Sequence, residues 1–275
     1  MKKIIIGVSA GIVVLGIVIA ITLVSRNREV MENVPKVFYL DEAKAALEEG
    51  DLLKAQQLYK TAKGEIEDVN ILDEVQKKIE TINIEIIFSP ILDECSTTYE
   101  VQPKDTLIKI AKKFNTTTAL IKRANGLSSD TIRLGKKLKV NTCKFSVVVD
   151  KSQNLLFLKR ADEVVKIYTV STGKDNSTPT GTFVIDENKL KNPTWYRTGA
   201  VIPPDSPENI LGSRWMGLEI VDNEGEEAKG YGIHGTTEPD QLGKQITLGC
   251  VRMRNEDVEE LFDIVPRGTE VVIID

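Results

Sequence analysis

Histidine is almost absent from this sequence: among 275 residues, only His234 carries an imidazole. Any reaction that needs an imidazole base therefore has a single candidate. Basic clusters are missing as well, because the formal net charge is −5 and no long run of lysine and arginine occurs. A nucleic-acid-binding face needs such a positive patch, so nucleic acid is disfavoured as a partner. Apolar residues (41%) and charged residues (28%) are present in the proportions of folded domains.

The beginning of the chain contains a nearly unbroken apolar run over residues 4–24. A helix of about 20 residues crosses a bilayer core of roughly 30 Å, and Lys2 and Lys3 before the run favour a cytoplasmic N-terminus. A cleaved signal peptide is the alternative, but its apolar region usually has about 7–15 residues and ends at a small-x-small site. We therefore predict a cytoplasmic tip and single-pass membrane anchor over residues 1–28, with the rest of the chain extracytoplasmic, in the cell wall or periplasm.

Residues 36–83 have apolar side chains at helical spacing and are predicted to form three helices. Asp41 is a candidate cap for the first, Gly50-Asp51 separates it from the second, and the third is predicted over Glu65–Ile82. The first two resemble a tetratricopeptide helix pair in the residues Leu47-Glu48-Glu49-Gly50-Asp51, Ala55, Tyr59 and Ala62. A solenoid needs about three repeats, so a helical spacer is favoured, and a protein partner for this spacer stays open.

A linker over residues 84–98 leads into a compact β-α-α-β pattern over residues 99–140. The pattern resembles the LysM domain. The segments that carry the resemblance are Asp105-Thr106-Leu107, Ile110-Ala111, Asn125-Gly126-Leu127 and Leu134-Gly135-Lys136-Lys137-Leu138. Lys104 departs from the family pattern, which usually has glycine at this position.

LysM domains bind glycans that contain N-acetylglucosamine, such as peptidoglycan, and the resemblance implies the same for this module. The sugar groove implied by the resemblance runs along Asp105, Thr106, Leu107 and the loop Leu127–Ile132. The alternative is a degenerate module that serves only as a spacer.

Two of the three cysteines flank this module, because Cys95 precedes its first predicted strand and Cys143 follows its last. In an antiparallel pair, the residue before one strand lies beside the residue after the other. Cys95 and Cys143 are therefore a candidate disulfide, which leaves Cys250 as an unpaired thiol in an exported chain. Three reduced thiols are the alternative.

Residues 145–275 contain several short segments rich in β-branched residues and separated by polar turns, which predicts a mostly-β domain. One helix is predicted from a cap at Asn255 to Pro266. The predicted fold class is thus multidomain: a transmembrane helix, an α-helical tetratricopeptide-like spacer, an α+β LysM domain and a mostly-β catalytic domain.

His234 and Cys250 are the candidate chemical groups of the mostly-β domain. A thiol needs a base to become a thiolate near neutral pH, and imidazole is the usual one. Gly249 lacks a Cβ and allows close backbone approach to a bound carbonyl, so nearby N–H groups are candidates for an oxyanion hole. Taken alone, a cysteine and a histidine sixteen positions apart are more often structural.

The sequence motifs around this pair resemble the YkuD-type L,D-transpeptidase catalytic domain over about residues 145–275. The matching segments are Ser171-Thr172-Gly173-Lys174, Thr178-Pro179-Thr180-Gly181-Thr182-Phe183, Trp215-Met216-Gly217, Tyr231-Gly232-Ile233-His234-Gly235-Thr236, Thr247-x-Gly249-Cys250-Val251-Arg252-Met253 and Asn255-x-Asp257-Val258. Two positions depart from the family: Thr247 stands where serine is common, and Leu248 stands where histidine is frequent.

The resemblance implies a ping-pong acyl transfer that needs no ATP, metal or cofactor. Cys250 attacks the carbonyl before the terminal D-Ala of a tetrapeptide stem, and an amine of a second stem then takes the acyl group, which gives a 3→3 cross-link. His234 is the base, and the carbonyl of Gly235 is implied to orient it. Arg252 either holds a substrate carboxylate or forms a structural ion pair.

Three other functions fit the same sequence. Water as the acceptor makes an L,D-carboxypeptidase, and a wall protein as the acceptor makes an attachment enzyme. A non-catalytic wall-binding protein would use only the LysM-like module and the spacer. Peptidoglycan stems and glycan strands are the expected partners in every case, and the family resemblance further implies acylation of Cys250 by carbapenems.

Overall fold

The computed structural model describes residues 36–221 and 230–275. The chain divides into two compact units, Met1–Ile79 and Glu80–Asp275. The predicted membrane anchor over residues 4–24 lies outside the described residues. Within the two described ranges, no helix combines the length and the apolar composition that crossing a membrane requires.

Three helices begin the described chain: α1 (Lys36–Glu48), α2 (Leu52–Lys63) and α3 (Val69–Phe88). Asp51 caps α2, since its carboxylate accepts the N–H of Lys54 at 3.1 Å. The first unit buries small and aromatic side chains between α1 and α2, namely Tyr39, Ala43, Ala46, Leu52, Ala55, Tyr59 and Ala62. The tetratricopeptide resemblance of this pair stays a prediction.

The starts of two helices differ from the prediction. Asp41 lies inside α1 and is therefore not its cap. Helix α3 begins at Val69, later than predicted, because the Asp68 carboxylate accepts the N–H groups of Asn70 and Ile71 at 2.9 and 3.2 Å. A side chain that satisfies these otherwise unpaired N–H groups determines where the helix begins.

The LysM-like module (residues 99–141) has the predicted β-α-α-β order. Its elements are β1 (Ser96–Glu100), α4 (Leu107–Lys113), α5 (Thr118–Ala124) and β2 (Lys137–Asn141). Strands β1 and β2 pair in antiparallel register, and the hydroxyls of Thr106 and Thr117 cap α4 and α5. The core of the module is formed by Val101, Leu107, Ile110, Ala111, Ile121, Leu138 and Val140.

Part of the predicted linker 84–98 is helical, because α3 continues to Phe88. The buried ammonium of Lys139 on β2 donates to the carbonyls of Ile86 and Ser89 at 2.6 and 3.0 Å. Carbonyls at the end of a helix lack partners within the helix, so a cation from the LysM-like module satisfies them here. This contact fixes the end of α3 against the module.

A disulfide joins Cys95 and Cys143 at the base of the module, with a Cα–Cα distance of 5.0 Å. The carbonyl of Cys95 accepts the N–H of Thr142 at 2.9 Å and the Arg160 guanidinium at 2.7 Å. The remaining cysteine, Cys250, is a free thiol.

Removing this disulfide is expected to lower the free energy of unfolding by about 4 kcal/mol, since the two cysteines are 48 positions apart and the cross-link restricts the unfolded chain. Urea denaturation of wild type with and without dithiothreitol measures the loss. The double variant Cys95→Ser/Cys143→Ser is the control, because its midpoint is expected to be low and insensitive to the reductant. An equal midpoint for wild type under both conditions would contradict the prediction.

The β domain (residues 145–275) is built on one eight-stranded sheet with strand order β13-β11-β10-β7-β14-β3-β4-β5. Its strands are β3 (Phe145–Asp150), β4 (Leu155–Arg160), β5 (Glu163–Thr169), β6 (Thr172–Gly173), β7 (Gly181–Lys191), β8 (Trp195–Arg197), β9 (Ala200–Ile202), β10 (Arg214–Ile220), β11 (Gly232–His234), β12 (Gln245–Thr247), β13 (Val251–Arg252) and β14 (Glu270–Ile274). Two pairs, β14 with β3 and β11 with β13, are parallel. The mostly-β prediction is confirmed.

One longer helix, α6 (Asn255–Ile264), packs on this sheet through Val258, Leu261 and Phe262. The predicted cap at Asn255 is wrong. Asn255 is the first helical residue, and Arg254 takes the N-cap position without a side-chain capping bond. The Asn255 amide is therefore available for other contacts.

The LysM-like module packs directly on the β domain. Arg123 of α5 pairs with Asp263 of α6 at 3.1 Å, and the Thr117 hydroxyl donates to the Asp263 carbonyl. Leu120 is buried within the hydrophobic core of the β domain. These contacts join residues about 140 positions apart, so the two domains form one packed body rather than a tethered pair.

Candidate active site

Parallel pairing of β11 with β13 brings the two predicted reactive residues to one place. Ile233 pairs with Val251 and His234 with Arg252. Cys250 directly precedes β13 and therefore lies next to Gly232 in register. Alternate residues of a strand face the same side, so Cys250 and His234 share one face. A Cβ on Gly232 would overlap the Trp215 indole, so glycine allows that ring to pack here.

His234 is buried, with 2% of its surface exposed, and its Nδ1 lies 2.6 Å from the carbonyl oxygen of Gly235. A carbonyl only accepts, so Nδ1 donates in this contact. A second backbone carbonyl, that of Leu211, also hydrogen-bonds the ring. The indole of Trp215 stacks on the imidazole with 5.7 Å between ring centroids. Burial lowers the pKa of His234 to about 4, and the positive charge of Arg252 acts in the same direction. The imidazole is therefore neutral at pH 7.

Cys250 is half-buried, and its thiol donates to the carbonyl of Gly230 with an Sγ–O distance of 3.7 Å. Burial raises the pKa of this thiol above its ordinary value, while the Gly232 N–H and Arg252 lower it in part. A neutral imidazole beside a protonated thiol is thus the resting state.

Gly249 is needed for its backbone conformation. Its φ is +131°, and a Cβ would lie 2.6 Å from the Tyr231 ring. Its N–H, proposed from the sequence as an oxyanion donor, donates to the Thr247 hydroxyl at 3.2 Å, and its carbonyl accepts the Thr178 hydroxyl at 2.9 Å. An oxyanion hole formed by the N–H groups around Gly249 and Cys250 stays a prediction.

The Thr247 hydroxyl closes the loop that presents the nucleophile. Besides accepting the Gly249 N–H, it donates to the carbonyl of Cys250 at 2.7 Å. Thr247 is itself buried, whereas the neighbouring Leu248 is 96% exposed. The hydroxyl common to threonine and serine explains why either residue suits this position.

Replacing Thr247 with valine is expected to lower kcat by about tenfold, because two buried backbone groups lose their shared partner at about 1–3 kcal/mol each. Thr247→Ser keeps the hydroxyl and is expected to stay close to wild type. Steady-state kinetics of both variants, with melting temperatures measured in parallel, test this. Equal kcat values for the valine and serine variants would show that the hydroxyl has no role.

Arg252 is 8% exposed. Its contacts fit both roles that the sequence left open, a structural ion pair and a ligand for a substrate carboxylate. One guanidinium nitrogen lies 3.3 Å from the exposed carboxylate of Glu238. Its Nε is buried and has no hydrogen-bond partner in the described part of the chain. The backbone of Arg252 also bonds in both directions with Ser171.

Thr178 is a residue whose contribution the sequence did not predict. Its buried hydroxyl accepts the N–H of Gly173 at 2.7 Å and donates to the carbonyl of Gly249 at 2.9 Å. The motif around Thr178 was visible in the sequence, but its proximity to the nucleophile depends on the fold. It ties the segment after β6 to the Cys250 loop.

The three predicted glycan-binding residues have different environments. The Asp105 carboxylate accepts the Tyr99 hydroxyl and the Gln102 N–H, each at 2.8 Å. Thr106 caps α4, and Leu107 is only 2% exposed. The Leu107 side chain lies in the core of the module, and the sugar groove along these residues stays a prediction. Among the described residues, no cluster of three metal-binding side chains occurs.

Comparison with known proteins agrees with this arrangement. The L,D-transpeptidase catalytic domain model of the YkuD family matches residues 144–273, and the LysM domain model matches residues 99–141. YqjB of Bacillus subtilis, which bears an L,D-transpeptidase name, is 40% identical over 47% of this chain and 70% of its own. YkuD of Bacillus licheniformis, also so named, is 34% identical over 64% of this chain and 97% of its own.

A crystal structure of an L,D-transpeptidase from Mycobacterium tuberculosis is 15% identical, with a TM-score of 0.39. The match covers 52% of this chain and 63% of that one, and nothing below depends on this likeness. The eight-stranded sheet, the placement of Cys250 and His234 on one face of it, and the two domain matches define the class: a cell-wall enzyme with a LysM domain. The chain belongs to the YkuD family of L,D-transpeptidases.

Proposed function

We propose that this protein forms 3→3 cross-links between peptidoglycan stem peptides through a thioester on Cys250, with His234 as the base. The observation that carries the proposal is the 2.6 Å contact between His234 Nδ1 and the Gly235 carbonyl, on the same sheet face as the one free thiol. Because Nδ1 donates to Gly235 in this contact, Nε2 is the nitrogen proposed to accept the thiol proton. Family membership supports the same reaction class.

In the acylation step, Nε2 of His234 takes the proton of Cys250 while Sγ attacks the carbonyl before the terminal D-Ala of a donor stem. The C–N bond then breaks, and His234 returns the proton to the departing D-Ala amine. The acyl group stays on sulfur as a thioester. Backbone N–H groups around Gly249 and Cys250 are proposed to stabilise the oxyanion.

In the transfer step, the side-chain amine of an acceptor stem attacks the thioester carbonyl. His234 accepts the amine proton and returns it to sulfur as the C–S bond breaks. No external energy source is needed, because the thioester retains the energy of the cleaved peptide bond. Arg252 is proposed to hold a stem carboxylate through its guanidinium, because it follows Cys250 by two positions and pairs with His234 on the neighbouring strand.

The remaining segments are proposed to bring the enzyme to its substrate. The LysM-like module binds glycan, which raises the effective concentration of stems at the β domain. The apolar run over residues 4–24, preceded by Lys2 and Lys3, anchors the chain in the cell membrane. The helical spacer over residues 36–83 separates the anchor from the wall-binding part and offers a surface for a protein partner.

The experiment that tests the proposal is incubation of the purified protein with disaccharide-tetrapeptides, followed by mass spectrometry. Wild type is expected to give dimers that have lost one D-Ala, and Cys250→Ala is expected to give none while melting at the same temperature. Free tripeptides without dimers would identify an L,D-carboxypeptidase. Equal product from Cys250→Ala would refute the mechanism.

A carbapenem offers an independent readout of the same thiol. Intact-mass measurement is expected to give one adduct per chain, lost in Cys250→Ala, because the disulfide leaves Cys250 as the free cysteine. An adduct that persists in this variant would contradict acylation at Cys250.

A further inference from the structure

The first residue of α6 makes all its side-chain hydrogen bonds to two segments beside His234. The Asn255 Oδ1 accepts the N–H groups of Ser213 and Thr236 at 3.0 and 3.1 Å. Its Nδ2 donates to the carbonyl of Thr236 at 2.9 Å. The amide thus connects the start of α6 to the segment before β10 and to the segment after β11.

One of these bonds acts on the peptide group that orients the base. The carbonyl of Gly235 and the N–H of Thr236 belong to the same planar peptide unit and point in opposite directions. Asn255 holds the N–H end of that unit, and His234 Nδ1 is bonded to the carbonyl end. Rotation of the peptide would break both bonds together, so the amide of Asn255 fixes the acceptor that determines the histidine tautomer.

The surrounding glycines show how closely this amide is packed. A Cβ on Gly212 or on Gly235 would overlap the Asn255 amide oxygen. Gly212 also has a φ of +63°, which favours glycine by itself. Both segments therefore approach the amide at a distance that only glycine permits.

We propose that Asn255 is a positioning residue for the reaction: it holds the Gly235 carbonyl against His234 and thereby keeps Nε2 free to act as the base. The expected effect on kcat rests on the proposed function, whereas the expected effect on the His234 tautomer does not. Asn255 is not expected to touch substrate, since all three of its bonds are to the protein backbone.

The test uses the fact that the chain has one histidine, so its ring nitrogens give an unambiguous NMR signal. In ¹⁵N-labelled full-length protein at pH 7, wild type is expected to show the Nδ1–H tautomer alone. Asn255→Ala is expected to show a mixture of tautomers. Asn255→Asp keeps an acceptor for the Thr236 N–H and is expected to retain the wild-type signal.

The matched control is Asn125, an amide in the LysM-like module with three comparable bonds. It donates to the carbonyls of Ile121 and Lys139 and accepts the N–H of Lys139. Asn125→Ala is expected to lower stability without changing the histidine signal or the kcat on soluble disaccharide-tetrapeptides. Asn255→Ala is expected to lower kcat by about 100-fold with KM nearly unchanged.

A wild-type tautomer and wild-type kcat in Asn255→Ala would overturn the inference and leave Asn255 with a structural role only. A tautomer change in Asn255→Ala that is also produced by Asn125→Ala would overturn it as well, because general loosening would then be the cause. If wild type makes no dimers but the tautomer changes only in Asn255→Ala, the proposed function fails while the positioning role is supported.

Discussion

Replacing His234 with glutamine is expected to lower the rate of thioester formation at pH 7 by about 10³-fold, the usual range for loss of a general base. No second histidine exists in the chain to substitute for it. The loss is expected to be large because the thiol remains protonated at this pH: burial raises the pKa of Cys250, so few molecules hold a thiolate without help from a base. Single-turnover acylation, followed by intact mass, measures the effect.

A pH series separates loss of the base from loss of structure. If His234 acts by removing the thiol proton, hydroxide replaces it at high pH, and the gap between wild type and His234→Gln should narrow at pH 10. A misfolded variant would instead show a constant deficit. A His234→Gln rate within tenfold of wild type at pH 7 would show that another group takes the proton.

The sequence predicted those parts of the molecule that depend on local pattern. Caps followed by apolar residues at helical spacing predicted α4 and α5, and the hydroxyls of Thr106 and Thr117 do cap them. The pairing of Cys95 with Cys143 followed from the ends of two antiparallel strands, and the disulfide is present at that position. His234 and Cys250 were predicted as a pair because the chain has one histidine and because the motifs around both residues resemble the same family.

Hydrogen-bond partners that are distant in the sequence were not predicted. Asn255 precedes an acidic first turn, as a helix cap does, yet its amide bonds to Ser213 and Thr236, which the chain brings to it only through the sheet. The bond between the Gly249 N–H and the Thr247 hydroxyl was likewise not predicted from the spacing. Competition for hydrogen bonds cannot be read from spacing alone.

Contacts between domains could likewise not be predicted from local sequence patterns. Residues 84–98 have the composition of a connector, but α3 continues to Phe88, and Lys139 donates to carbonyls at its end. Arg123 forms an ion pair with Asp263, which lies 140 positions later in the sequence. These contacts pack the LysM-like module directly against the β domain.

The alkylation rate of Cys250 by iodoacetamide is expected to rise by about 10³-fold between pH 6 and pH 9, tenfold per pH unit, without a plateau. The sign follows from the thiol: burial raises its pKa above the ordinary value, so the thiolate fraction still grows throughout this range. The signal is unambiguous because Cys95 and Cys143 are joined in a disulfide and cannot react.

His234→Gln gives this experiment its sharpest comparison. The pKa of His234 is lowered to about 4, so the imidazole is neutral over the whole series and carries no charge that could stabilise a thiolate. The variant is therefore expected to follow the same alkylation profile as wild type, even though its acylation by substrate is about 10³-fold slower. A preformed thiolate–imidazolium pair predicts the opposite: a plateau below pH 8 in wild type that His234→Gln abolishes. Observing that plateau would replace general-base catalysis with a resting ion pair as the source of the nucleophile.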